Sequence, residues 1–236
     1  MAWNIAIEPN AAAKSPCIAV FDLDGTLTWR DTLVPYLIGY AARHPARWLG
    51  LWRVPVALVY YLASRRDRGR LKSRLIQAVM GGEPRPRIDA WSESFVDGLQ
   101  RRHAFRPAAL AVLRSHRAAG DHLVLLSASP DMYVPQIGRL LGFERTLCTE
   151  VAWRSTPAGE ERLDGALCTP NRRGEEKTQC LAGLRAYYPG MPVVAYGNSD
   201  SDLPHLAQAD RALLVNADAR TRRIARASGI PIGDWN

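Results

Sequence analysis

Two aspartates one residue apart, Asp22 and Asp24, close a short apolar run in the segment CIAVFDLDGTLT, residues 17 to 28. Side chains two apart on a strand point to the same side, so the pair is expected to emerge together where the run ends. Carboxylates that close repel unless a cation or a shared proton relieves them, and hard oxygen donors favour Mg2+. Gly25, directly after the pair, lets the chain turn away sharply. Groups that could join this chemistry recur later. A hydroxyl, Ser127, follows the apolar run HLVLL, Lys177 ends the segment GEEK, and YGNSDSD at 196 to 202 holds Asn198, Asp200 and Asp202. Lysine occurs only at Lys14, Lys72 and Lys177 in an otherwise arginine-rich chain, which makes each one worth inspecting.

These residues need elements to position them. Apolar runs bounded by turn residues predict strands at 17–22, 122–129, 193–197 and 212–216, with a polar hairpin-like stretch at about 147–168. Between the first two, from about 30 to 103, the period is helical, and helices are again expected near 107–120, 132–142, 175–187, after Ser201 and at 219–228. Strands alternating with helices predict a doubly wound, mostly parallel α/β sheet, and the helical block predicts an inserted α-helical cap. The expected division is a core of residues 1–28 and 104–236 and a cap of 29–103, which suits a chain of 236 residues. In such a sheet, ligands bind at the carboxyl ends of strands, where the two aspartates fall.

Composition narrows the class. Hydrophobic residues at 47% and charged residues at 23% argue against disorder and against an integral membrane protein. The net charge of +8 comes from scattered arginines without the aromatic interleaving of a nucleic-acid platform, so no nucleic-acid partner is expected. The longest apolar stretch, 48–63, is broken by Arg53 and Pro55 and is too short to span a bilayer. Its Trp48, Trp52, Tyr60 and Tyr61, flanked by arginines, could instead give residues 46–64 a peripheral membrane contact, against the simpler reading of a packed cap helix. Residues 1–16 read as a loosely ordered leader without a secretory pattern. Cys17, Cys148, Cys168 and Cys180 show no CxxC spacing, so buried thiols and a reducing cytoplasm are expected, and the five histidines show no metal-ligand spacing.

FDLDGTLT resembles the first motif of the haloacid dehalogenase superfamily of phosphohydrolases. LLSAS, GEEK and YGNSDSD resemble the other three in order, and the whole is similar to the branch of phosphoserine phosphatases and phosphatidylglycerophosphate phosphatases, with a helical cap. The resemblance runs from about 17 to 235 and is weak in the cap. It implies a Mg2+-dependent phosphomonoesterase working through an aspartyl-phosphate. Asp22 would be the nucleophile and Asp24 the acid and base, while Ser127, the backbone at Ala128 and Lys177 would bind the phosphoryl group. Asp22, Asp24, Asn198 and Asp202 would hold the metal.

Asn198 stands where the superfamily commonly has a metal-ligating aspartate, which predicts weaker Mg2+ affinity and more weight on Asp202, with Asp200 as a substitute two positions off. Asp31 occupies the place of a substrate-reading glutamate, though it equally reads as a helix cap, and Arg74 could match a cap arginine of the phosphoserine enzymes. The substrate is then a small phosphomonoester or a lipid phosphate head group. The alternatives are a catalytically weak phosphate-binding or regulatory protein of the same fold, and a phospho-accepting receiver domain. The receiver is disfavoured because its acceptor is expected on a later strand than the first.

Overall fold

The structure, a computed structural model, describes residues 16–46 and 67–235. The apolar run forms β1 (Ile18–Phe21), whose four side chains are fully buried. Ile18 and Val20 face one side of the sheet, Ala19 and Phe21 the other, and helices cover both. A strand covered on both faces reads as a continuous apolar run rather than an alternating one. Burying Ile18, Val20 and Phe21 contributes roughly 2 kcal/mol each.

Six parallel strands form the sheet. They are β1, β2 (His122–Pro130), β3 (Arg145–Thr149), β6 (Val193–Gly197), β7 (Arg211–Val215) and β8 (Ile232–Gly233), in the order β3-β2-β1-β6-β7-β8. Phe21 pairs with Leu125 on one side and Tyr196 on the other. The chain therefore winds in both directions from β1, and the crevice beyond its carboxyl end is the topological switch point. Helices α4 (Pro107–Ala118) and α5 (Val134–Leu141) pack on the Phe21 face. On the opposite face lie α6 (Glu175–Tyr187), the short α7 (Leu203–Leu206) and α8 (Ala219–Ala227).

Between β1 and β2 lie α1 (Leu33–Arg43), α2 (Arg68–Met80) and α3 (Arg85–Arg101). Tyr36 of α1 anchors them, with its ring against Phe95 of α3 and Tyr133 beside α5, and its hydroxyl 2.8 Å from Ser92 Oγ. This aromatic cluster is continuous with the core on the Phe21 face. The hairpin β4 (Val151–Ser155) and β5 (Glu161–Leu167) packs on α2, and Leu163 N donates to Glu83 O at 2.8 Å. The layer over the site thus includes a hairpin that lies outside the expected 29–103 boundary, because an antiparallel pair with no place in the parallel sheet finds its apolar cover on α2.

No helix among the described residues is long and apolar enough to cross a membrane. Residues 1–15 of the expected leader at 1–16 and residues 47–64 of the aromatic stretch lie outside the described residues. All four cysteines are free thiols, and Cys168 is exposed rather than buried, since it follows β5 at the edge of the hairpin. Cys17, His116 and Asp121 cluster at the start of β1. His116 Nδ1 lies 2.6 Å from Asp121 Oδ2 and Nε2 lies 2.7 Å from the Tyr196 hydroxyl. Both ring nitrogens are occupied and burial pushes the Cys17 thiol up to about 12, so the group serves as a structural tie.

Candidate active site

The two aspartates reach the crevice through a wide turn rather than along the strand, which ends at Phe21. Thr28 N donates to Leu23 O at 3.0 Å to close the turn, and Gly25 takes a φ of 84° within it. A side chain at Gly25 would be strained at that angle and would strike the Asn198 amide, so only glycine lets the first and fourth motifs touch.

Asp22 is buried, and each of its oxygens accepts one hydrogen bond: Oδ1 from Lys177 Nζ at 2.5 Å and Oδ2 from Thr26 Oγ1 at 3.0 Å. A carboxylate offers about four lone-pair sites, so Asp22 keeps acceptor capacity facing the cavity. Lys177 rises from the first turn of α6 and also donates to Asp202 Oδ1 at 2.7 Å. Asp202 Oδ2 takes three further donors, Asn198 N at 3.1 Å, Ser199 N at 2.9 Å and Ser199 Oγ at 2.8 Å. Asp202 thus anchors Lys177 and the fourth motif, and it lines the cavity with one bond on Oδ1. Asp200 faces solvent and pairs with Arg173 at 3.2 Å.

Asp24 is oriented differently. Its Oδ1 accepts from Thr32 N at 2.8 Å and Thr32 Oγ1 at 2.7 Å, and its Oδ2 from Ser129 Oγ at 2.6 Å. Thr32 in turn shares a 2.9 Å hydrogen bond with the Tyr133 hydroxyl. Burial and the charge of Asp31 nonetheless raise the Asp24 pKa, which favours its protonated form. Burial also pushes Asp22 up to about 7, opposed by the Lys177 ammonium and assisted by the charges of Asp202 and Asp24. Asp202 is held well below the carboxylate range by Lys177 and His205, and Lys177 is raised by its two carboxylate partners.

A cavity of about 620 Å³ opens over these groups, lined on the sheet side by Asp22, Asp24, Ala128, Lys177 and Asn198. Ser127 sits fully buried beneath this wall, its oxygen accepting from Ser129 N at 3.0 Å, while Ser129 itself lines the cavity. From α2, Arg68, Leu71, Lys72 and Leu75 complete the wall. Helical geometry puts residues spaced by three and four on one face, so Arg74 falls off this stripe and does not line the cavity. Lys72 reaches the end of β2, where its Nζ donates to the Ala128 carbonyl. Asp31 lines the mouth and also caps α1, accepting from Val34 N at 3.1 Å.

Reasoning from sequence missed Thr26, Thr32, Ser129, Lys72 and Asn171. Ser129 was findable, since it lies two residues from Ser127 on the same strand and so on its side. Thr32 and Asn171 carry no pattern that separates them from other polar residues.

Two buried carboxylates, Asp22 and Asp202, and the half-buried Asp24 are answered within their cluster by one buried ammonium, Lys177. Burial raises Asp22 first and the charges of Asp202 and Asp24 add to it, and a divalent cation would relieve that excess of negative charge. The oxygens of Asp22 and Asn198, with Asn198 making no side-chain hydrogen bond among the described residues, form a hard donor set that fits Mg2+.

A doubly wound sheet carrying an aspartate pair at its switch point defines the class, and comparison supplies the family. The profile described as haloacid dehalogenase-like hydrolase matches residues 19–207, and the chain belongs to that family of hydrolases. It is 33% identical over 201 residues to the protein CicA of Caulobacter vibrioides, covering 83% of this chain and 84% of that one. It is 27% identical over 227 residues to the phosphoserine phosphatase SerB1 of Mycobacterium tuberculosis, covering 92% and 70%. A structure of a probable phosphoserine phosphatase from Vibrio cholerae shares the fold with a TM-score of 0.70 at 14% identity, covering 94% of this chain and 62% of that one.

Proposed function

We propose that this chain is a Mg2+-dependent phosphatase that transfers the phosphoryl group of a monoester to Asp22 and then hydrolyses the aspartyl-phosphate. The observation that carries this reading is Asp22 itself: a buried carboxylate at the switch point, bonded to Lys177, with acceptor capacity left toward an open cavity. The Asp22 carboxylate forms a bond to phosphorus as the ester bond breaks, and protonated Asp24 gives its proton to the departing oxygen. Asp24, now a carboxylate, takes a proton from the water that attacks phosphorus, which frees Asp22 and inorganic phosphate.

Ser129 and the backbone around Ala128 hold the phosphoryl oxygens, Ser127 supports them from beneath through its bond from Ser129 N, and Lys177 offsets their charge. Mg2+ held by Asp22, Asn198 and an oxygen of Asp24 would neutralise both the nucleophile and the anionic group it attacks. Thr32 ties Asp24 to the start of α1, so the acid is aligned by the helical layer, which acts as the cap.

The rim suits an anionic substrate with some apolar body, since Arg30, Arg68 and Arg173 stand beside Trp29, Val34, Leu71 and Leu75. A small phosphomonoester and a lipid phosphate head group both fit, in the cytoplasm or at a membrane touched by residues 46–64. Release of phosphate from p-nitrophenyl phosphate with Mg2+, absent in Asp22→Asn, tests the activity. A panel of phosphomonoesters including phosphoserine and phosphatidylglycerophosphate, with liposome flotation, separates the substrates. The uncharged Asn198 is the observation that favours a phosphate-binding protein without turnover, and phosphate binding with no release from any ester would establish that reading.

A further inference from the structure

Lys72 and Lys177 are both largely buried in the cavity wall, and the fold treats them differently. Lys177 has two carboxylate partners. Lys72 has none: its Nζ donates to the Ala128 carbonyl and, at 2.6 Å, to Asn171 Oδ1, both of them neutral. A buried ammonium without a counter-ion is costly, and burial lowers the Lys72 pKa to about 8 even with Asp24 and Asp31 acting the other way.

Folding alone gives no reason to carry that cost. An ammonium has three donors, two of which are engaged, and Lys72 lines the cavity that Asp22, Asp24 and Lys177 also line. One of its two partners is the carbonyl of Ala128, in the wall proposed to hold the phosphoryl oxygens. The same carbonyl accepts from Thr149 Oγ1 at 2.7 Å, so the wall is fixed from two sides at the point where Lys72 meets it.

We propose that Lys72 is a substrate-contacting residue whose missing counter-ion is the phosphoryl group itself, delivered to the site by α2 of the cap. The inference rests on the phosphatase reading for its substrate but not for its test. Lys72 supplies charge that Asn198, as a neutral ligand, leaves less firmly provided by a metal, and it makes the cap part of the phosphoryl pocket rather than only a reader of the leaving group. Asn171 positions the ammonium and needs no contact with substrate.

Two readouts test this: the affinity for inorganic phosphate by calorimetry, which needs no turnover, and kcat and KM for p-nitrophenyl phosphate, whose leaving group carries no second acid. Lys72→Met is expected to weaken phosphate binding and lower kcat/KM roughly ten- to a hundredfold, the worth of a hydrogen bond to a charged group. Lys72→Gln keeps donors for Ala128 and Asn171 but not the charge, and is expected to lose as much, while Lys72→Arg recovers most of the loss. Recovery by glutamine would overturn the proposal in favour of a neutral latch between cap and core. Losses confined to substrates with a second acidic group, with phosphate binding unchanged, would overturn it in favour of leaving-group recognition. If the wild type binds phosphate through Lys72 but releases none from any ester, the inference stands and the phosphatase reading falls.

Discussion

On the sheet side of the cavity each charged group is answered inside the fold: Asp202 by four donors, Lys177 by two carboxylates, Asp24 by Thr32 and Ser129. The helical side offers Lys72 with neutral partners and Arg68 exposed at the rim. The hydrogen bonds of the first arrangement are made before any ligand arrives, as preorganised chemistry requires, and its excess of negative charge is left for a cation. In the second, cations await a partner, which is what a surface that selects an anionic substrate needs. The two walls of the cavity thus differ in where their charges find partners.

The contrast breaks most visibly at Asp24, which belongs to the sheet side but is held by Thr32 of the helical side. Asp24→Asn should lower kcat by about a hundred- to ten-thousandfold, as loss of a general acid does, with little change in KM. An equal loss in KM would move Asp24 from chemistry to binding. Asn198→Asp adds a charge to the proposed metal donors and should tighten Mg2+ roughly tenfold in an activity titration. No change would place the ion elsewhere.

The order in which these residues could be recognised follows the same division. Asp22, Lys177 and the fourth motif were legible because strand ends and helix starts fix where they emerge, so spacing in the sequence carries position in space. Asp202 was visible as a carboxylate, while the donors that make it an anchor for Lys177 and the fourth motif were not. Lys72 stood out only by rarity, and Arg74 was preferred to it because the cap offers no strand to set the phase. The face of α2 was settled by packing against the core and against a hairpin, β4–β5, that begins only at Val151, far along the chain from Met80, where α2 ends. β8, with two residues, is too short to leave an apolar signature.

A subtler effect concerns stability of the metal-free protein. The folded pKa of Asp22, about 7, lies above the 3.8 of an ordinary aspartate, so the folded state holds a proton that the unfolded state has released. The contribution of Asp22 is therefore most favourable below about pH 4 and declines as pH rises toward 7. In chelator, the melting temperature of the wild type minus that of Asp22→Asn should fall across that window and level off above it, and Mg2+ should raise the wild type more than the variant. A difference that rises with pH would mean that Lys177 dominates and that Asp22 is ionised throughout. The smallest effect is expected at Arg74, off the cavity-lining stripe of α2: Arg74→Ala should change kcat/KM by less than about twofold, the range of a surface substitution. A larger loss would return it to the substrate wall.

The reading as a whole turns on whether phosphorus becomes bonded to Asp22. Acid quenching of the protein during turnover with Mg2+, followed by mass spectrometry of the peptide spanning β1, measures this directly. One phosphoryl group on Asp22, lost on treatment with hydroxylamine and absent from Asp22→Asn, is the expected result. Sustained release of phosphate by Asp22→Asn, or a phosphoryl group trapped on another residue, would contradict it.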